Sequence, residues 1–126
     1  RGIEVRADHL FQIGSISKMF TALGCWSLID EGKLSPDTRL SAALAGLSVR
    51  GGAAITLQQL LNHTSGLPAD SAIFPEGGLW TGFAPGTNWS YSNCGYALAG
   101  MIGAAADGRP FPDMVEARVL APLGMK

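Results

Sequence analysis

Charge is scarce in this chain. Of 126 residues only 15% are Asp, Glu, Lys or Arg, and the net charge is −1. The basic residues are scattered from Arg1 to Lys126 without forming a stripe, which argues against nucleic acid and against an anionic membrane surface as partners. Cysteine is equally sparse. Cys25 and Cys94 each sit inside an apolar stretch and read as small buried hydrophobes rather than as a disulfide. The two histidines, His9 and His63, lie far apart, and no Cys, His and Asp cluster has ligand spacing, so a metal site is not expected. Long hydrophobic runs are missing as well. The charge-free runs on evident helices, Met19 to Ile29 and Asn93 to Ala106, fall below the ~18–20 residues of a transmembrane segment. No signal-peptide pattern opens the chain, and it starts at Arg1 rather than Met, which points to a processed chain or a fragment.

What the sequence does have is apolar bulk and small residues. Hydrophobic residues make up 47% and there are 17 glycines. That excludes intrinsic disorder, and the length suits one domain. Gly2 to Ile13, with Ile3, Val5, Leu10, Phe11 and Ile13, reads as a strand ending in a turn. A helix follows from Ser15 to about Glu31 with Gly32 as its stop. Its middle is apolar nearly all round, which predicts burial on most faces. A short helical piece is expected around Ser41 to Leu44. Thr56 and Gln59 form a capping box for a second main helix. Residues 69 to 90, with Pro75, Gly77, Gly78, Gly82, Pro85 and Gly86, predict an irregular loop. A third helix spans Asn93 to Ala106, where Gly95, Ala99 and Gly103 recur every four positions and favour close helix packing. Pro112 suits the start of a fourth, running to about Leu120.

The sharpest chemical feature is Gly14-Ser15-Ile16-Ser17-Lys18 at the strand-to-helix junction. Positions i and i+3 share a helix face, so Lys18 lies one turn above Ser15. A serine at a helix start meets free backbone N–H groups and the positive dipole end, which favour a developing oxyanion. Its hydroxyl needs a base. A lysine serves only with a lowered pKa, which burial in the apolar stretch after Lys18 would supply. The bare motif is weak, and the plainer reading is a serine cap with an outward-snorkelling lysine. Ser17 competes as nucleophile but points elsewhere on the helix. Tyr91-Ser92-Asn93, just ahead of the third helix, offers a phenol to shuttle protons and an amide to hold a substrate carbonyl. The alternative is a packing aromatic and an Asn N-cap. His63 invites a Ser-His-Asp triad, but no Gly-x-Ser-x-Gly elbow exists, and a hydrogen-bonded loop anchor fits its turn better. Trp80 and Trp89 either line a pocket or pack.

Taken together, Phe11-Gln12-Ile13-Gly14-Ser15-Ile16-Ser17-Lys18, Gly32-Lys33-Leu34, Leu60-Leu61-Asn62-His63-Thr64-Ser65-Gly66-Leu67-Pro68, Trp89-Ser90-Tyr91-Ser92-Asn93-Cys94-Gly95-Tyr96 and Pro122-Leu123-Gly124-Met125 resemble the serine β-lactamase-related family. That family includes class C β-lactamases, D-Ala-D-Ala carboxypeptidases (penicillin-binding proteins), D-aminopeptidases and esterases. The resemblance implies an α/β (α+β) fold of the β-lactamase type, with this chain supplying the helical part plus the nucleophile strand and helix as one incomplete domain. It implies a serine hydrolase acting on an amide or ester through an acyl-enzyme. Ser15 would be the nucleophile, Lys18 would assist its deprotonation, Tyr91 would serve as general base and then acid, and Asn93 would bind substrate. No metal or organic cofactor is implied.

The family's third motif, Lys-Thr-Gly or His-x-Gly, supplies one oxyanion donor and does not occur in these 126 residues. The resemblance therefore implies a second polypeptide or a missing C-terminal half that completes the fold, with the 126-residue chain alone inactive. The rival expectation is a catalytically silent binding or scaffold module. A periplasmic or secreted setting fits the resemblance, and a cytoplasmic one stays open.

Overall fold

The computed structural model describes residues 2–73 and 76–125. Arg1, Phe74, Pro75 and Lys126 lie outside the described residues. The chain enters through a 3-10 turn, Gly14–Ile16, directly continuous with helix α1, Ser17–Asp30. There follow α2 (Leu40–Ala43), β1 (Val49–Arg50), α3 (Leu57–Leu61), β2 (Leu79–Trp80), α4 (Asn93–Asp107) and α5 (Phe111–Val115), the last running into a π-helical turn, Glu116–Leu120. Each predicted helix is therefore present. The capping box of α3 forms as its residues dictate: Thr56 Oγ1 accepts from the Gln59 N–H, and the Gln59 side chain accepts from the Thr56 N–H. Gly108 ends α4 at φ +77, a left-handed conformation that residues with a Cβ rarely adopt.

Two expectations are corrected. Gly2 to Ile13 is not a strand, and Ile3, Val5, Leu10 and Phe11 lie exposed. A lone strand leaves its backbone groups without ladder partners, and a sheet becomes stable only with neighbours. Among the described residues the sheet is a single parallel pair of two-residue strands, Val49 opposite Leu79 and Arg50 opposite Trp80. The second correction concerns α1. One face, Thr21, Gly24, Cys25 and Leu28, is buried, but Ile16, Met19, Leu23 and Trp26 form an outward apolar stripe, with Leu23 49% and Trp26 47% exposed.

The core lies between α1, α3 and α4 and is built from Cys25, Leu57, Leu60, Leu98, Ala99 and Ile102 among others. The small residues of α4 let it form. A Cβ on Gly103 would come within 3.0 Å of Met114 Sδ and 3.3 Å of Cys25 Sγ. The Cys25 thiol donates to the Ala99 carbonyl at 3.5 Å, and burial pushes its pKa up to about 11, so it behaves as an inert packing group.

Arg118 closes the far end. It pairs with both Glu31 oxygens at 2.8 and 3.0 Å and with Asp107 Oδ1 at 2.6 Å, joining the ends of α1 and α4 to the π-helical turn. Asp107 also receives Arg109. Arg109 and then Arg118 pull the Asp107 carboxyl down to about 2, and Arg118 and then Lys33 do the same for Glu31. The stability these carboxylates contribute is complete above the ordinary carboxylate range of about 4 and is lost as pH falls towards 2. Arg118→Met should cost about 1.5–3 kcal/mol at pH 7, the range for hydrogen bonds to charged groups. In urea unfolding, its gap to the wild type should narrow between pH 5 and pH 2, and a pH-independent gap would contradict the assignment.

Candidate active site

Ser15 sits in the middle of the 3-10 turn, exposed, with Lys18 one turn further along. Tyr91 lies in the extended segment before α4, and Asn93 is the first residue of that helix. The fold brings all four together. The phenol of Tyr91 and the hydroxyl of Ser15 share a hydrogen bond of 2.7 Å. Lys18 Nζ donates to Ser15 Oγ at 3.3 Å and to Asn93 Oδ1 at 2.6 Å. Ser17 takes no part in these hydrogen bonds; it lines, together with Lys18, Asn93, Tyr96 and Phe111, a cavity of about 450 Å³ beside them. The plain reading of Lys18 as an outward-snorkelling side chain fails on these contacts. The burial expected for it in an apolar stretch is partial. Lys18 is half-buried, and its ammonium meets polar groups and the rings of Tyr91 (4.9 Å) and Tyr96 (5.7 Å).

Electrostatics distinguish Tyr91. The Lys18 ammonium, and then the Ser15 hydroxyl, hold its phenol below the ordinary tyrosine range, while the Asp70 carboxylate acts in the opposite sense. As a phenol Tyr91 donates to Ser15 Oγ. As a phenolate it accepts the serine proton across the same short distance, which is the geometry a general base needs.

The alternative reading of Asn93 as the cap of α4 fails. Ser92, fully buried, takes that role: its Oγ accepts from the Gly95 N–H at 2.9 Å and donates to the Pro68 carbonyl at 2.7 Å. Asn93 is thereby released for the site. Its backbone N–H donates to the Ala69 carbonyl at 2.8 Å, and its side-chain nitrogen donates to Asp70 Oδ1 at 2.7 Å. Asp70 was not legible in the sequence, where it is one acid in a turn-rich loop.

His63 proves to be an anchor and no triad member. It adopts φ +64, a region where histidine is one of the more tolerated residues. Its Nδ1 accepts from the Ser92 N–H at 3.1 Å and its carbonyl accepts from the Ser90 N–H at 2.9 Å. Its ring packs on Tyr91 and Tyr96 at 4.5 and 5.0 Å and meets the exposed Trp89 edge-on. Trp80, also exposed, belongs to β2.

The helical layer, with its serine-bearing turn against a tyrosine at the head of a second helix, has the serine β-lactamase and penicillin-binding-protein fold. The chain belongs to the beta-lactamase family, a family of serine hydrolases whose profile matches residues 1–126. It is 32% identical to penicillin-binding protein 4* of Bacillus subtilis (strain 168), over 96% of this chain and 30% of that protein. A D-amino acid amidase from Ochrobactrum anthropi SV3 superposes with a TM-score of 0.80 at 33% identity, over 99% of this chain and 40% of that one. A beta-lactamase/D-alanine carboxypeptidase from Yersinia pestis does so with a TM-score of 0.87 at 28% identity, over 98% and 41%. The chain thus spans about three tenths to two fifths of the length of these relatives.

Burial, and then the charge of Lys18, lower the pKa of His63, so the neutral ring that accepts from Ser92 is the stable form. A depressed histidine pKa gives stability that is complete above about 6.5 and is lost as pH falls through the folded-state value. Hydrogen exchange should therefore show the Ser92 amide losing protection in acid, with Ser90, bonded to the His63 carbonyl, changing less. Equal protection of Ser92 at pH 8 and pH 5 would contradict this account.

Proposed function

We propose that this chain carries the acylating centre of a serine hydrolase that cleaves an amide or ester through an acyl-enzyme. The observation that supports it is the Ser15 hydroxyl lying within hydrogen-bond reach of both Tyr91 and Lys18. Ser15 Oγ adds to the substrate carbonyl carbon as its proton passes to the Tyr91 phenolate, which the Lys18 ammonium stabilises. The adduct collapses with cleavage of the C–N or C–O bond, and Tyr91 returns the proton to the leaving group. Water then adds to the acyl carbon, giving a proton to Tyr91, and Ser15 leaves with that proton restored. Asn93 binds the substrate carbonyl through its side-chain amide. The Ser15 N–H supplies one oxyanion donor.

The second donor comes from polypeptide outside these 126 residues, either a C-terminal half or another chain. The same polypeptide covers the α1 stripe of Ile16, Met19, Leu23 and Trp26, since each large apolar side chain left in water forgoes roughly 1.5–3 kcal/mol. Substrates follow the relatives: D-configured amides, β-lactams or esters. The alternative, a silent binding module, is favoured only by the absence of the third motif, and intact acylating geometry weighs against it.

A serine-directed acylating probe on the complete enzyme should label Ser15 and spare Ser17, as peptide mass mapping reads directly. A label on Ser17, or one that survives Ser15→Ala, would sink the assignment. Lys18→Arg should be nearly as damaging as Lys18→Ala, because a broad planar guanidinium does not fit a site shaped for a compact ammonium between Ser15 Oγ and Asn93 Oδ1. Tyr91→Phe should lower the acylation rate by about 10²–10⁴. A loss below tenfold would leave Tyr91 a packing residue.

A further inference from the structure

Asn93 is gripped at both ends of its amide. The carbonyl end accepts from Lys18 Nζ at 2.6 Å and the nitrogen end donates to Asp70 Oδ1 at 2.7 Å. An Asn side chain can exchange these ends by half a turn with almost no change of shape. Here the partners cannot change roles, because an ammonium only donates and an ionised carboxylate only accepts. Both bonds are charge-assisted, so one orientation is strongly preferred.

Asp70 is placed by the backbone around it. The preceding residues of its turn are docked on the start of α4, Pro68 accepting from Ser92 Oγ and Ala69 from the Asn93 N–H. The Asn93 amide has two N–H groups, and Asp70 occupies one of them. The other remains for a ligand, and the carbonyl remains committed to Lys18.

We propose that Asp70 is a positioning residue for acylation: by accepting from Asn93 Nδ2 it turns the Asn93 carbonyl onto Lys18, holds that ammonium against Ser15, and leaves one amide N–H for the substrate carbonyl. This rests on the acylating role argued above for Ser15, Lys18 and Tyr91.

A second consequence separates positioning from simple support of the loop. The phenol of Tyr91 is faced by Lys18 from α1, His63 and Asp70 from the loop after α3, and Tyr96 from α4. Asp70 alone among these opposes phenolate formation, acting against Lys18. The loss of its charge by itself therefore moves phenolate formation to lower pH.

The test is the burst of p-nitrophenol from a p-nitrophenyl ester, measured across pH for the complete enzyme and for Asp70→Asn, Asp70→Glu and Ser15→Ala. Asp70→Asn keeps the shape of the carboxylate but can offer an N–H to the Asn93 carbonyl and compete with Lys18. It should lower the acylation rate constant by up to about a hundredfold, the scale of a small misplacement of reacting groups. The midpoint of the alkaline rise in rate should move from its wild-type value, because the Asp70 charge and the seating of Lys18 both act on the Tyr91 phenol. Asp70→Glu, which keeps the charge and the acceptor, should retain the wild-type midpoint and recover much of the rate. An Asp70→Asn enzyme with wild-type rate and midpoint would overturn the proposal. So would a loss of rate with an unmoved midpoint and no rescue by Glu, which would leave Asp70 a loop support. A burst that persists in Ser15→Ala would instead overturn the acylating reading itself, whatever Asp70 does.

Discussion

The close approach of α1 to α4 is the constraint on which the site depends. Lys18 and Asn93 lie 75 positions apart in the chain, yet their side chains meet at 2.6 Å. They meet because the helices carrying them touch further along at Cys25, Ala99 and Gly103. Cys25 Sγ reaches the Ala99 carbonyl, and at Gly103 an added Cβ would already crowd Met114 and Cys25. A well-packed contact of this kind has little room to relax. A larger side chain there would force the helices apart and strain the bond at their starts.

A second layer of order holds what the helices do not. Tyr91 lies outside regular secondary structure, so its position relies on the loop from His63 to Asp70. That loop grips the segment through backbone and buried groups: His63 on Ser90 and Ser92, Pro68 on Ser92, Ala69 on Asn93. The anchoring residues are therefore largely different from those proposed to do chemistry. Arg118 plays the matching part at the opposite end, where Glu31 and Asp107 converge on one guanidinium. Among the described residues no buried side-chain polar atom lacks a partner, which suits a site whose groups are held before any ligand arrives.

The helices were readable because their signals are local: the Thr56–Gln59 box, the stops at Gly32 and Gly108, and the four-residue spacing of small residues in α4. Ser15, Lys18, Tyr91 and Asn93 were readable as a group through motif resemblance, and their convergence on one spot needed the fold. Misreadings arose where the outcome depends on distant partners. The apolar alternation of Gly2 to Ile13 fits a strand, but strand formation needs a neighbouring strand, and β1 and β2 pair elsewhere. Apolar residues on every face of α1 promised burial, yet burial depends on what lies opposite. Asp70 and Arg118 left no mark because a single charged residue in a loop or a short helix has no periodicity. Their roles exist only through partners elsewhere in the chain, Asn93 for Asp70 and Glu31 and Asp107 for Arg118, 23, 87 and 11 positions away. Ser92 rather than Asn93 caps α4 because both residue types cap helices well, and one residue of register decides between them.

The central claim is that Ser15 is held between Lys18 and Tyr91, with Asn93 fixing Lys18. A crystal structure of the complete protein bound to a boronic acid tests it most directly, since boron captures a nucleophilic serine as a tetrahedral adduct. The account predicts a boron bonded to Ser15 Oγ, with Tyr91 OH hydrogen-bonded to the adduct and Lys18 Nζ still resting on Asn93 Oδ1. Boron bonded to Ser17, or an adduct on Ser15 with Lys18 turned away from both Asn93 and Oγ, would contradict it.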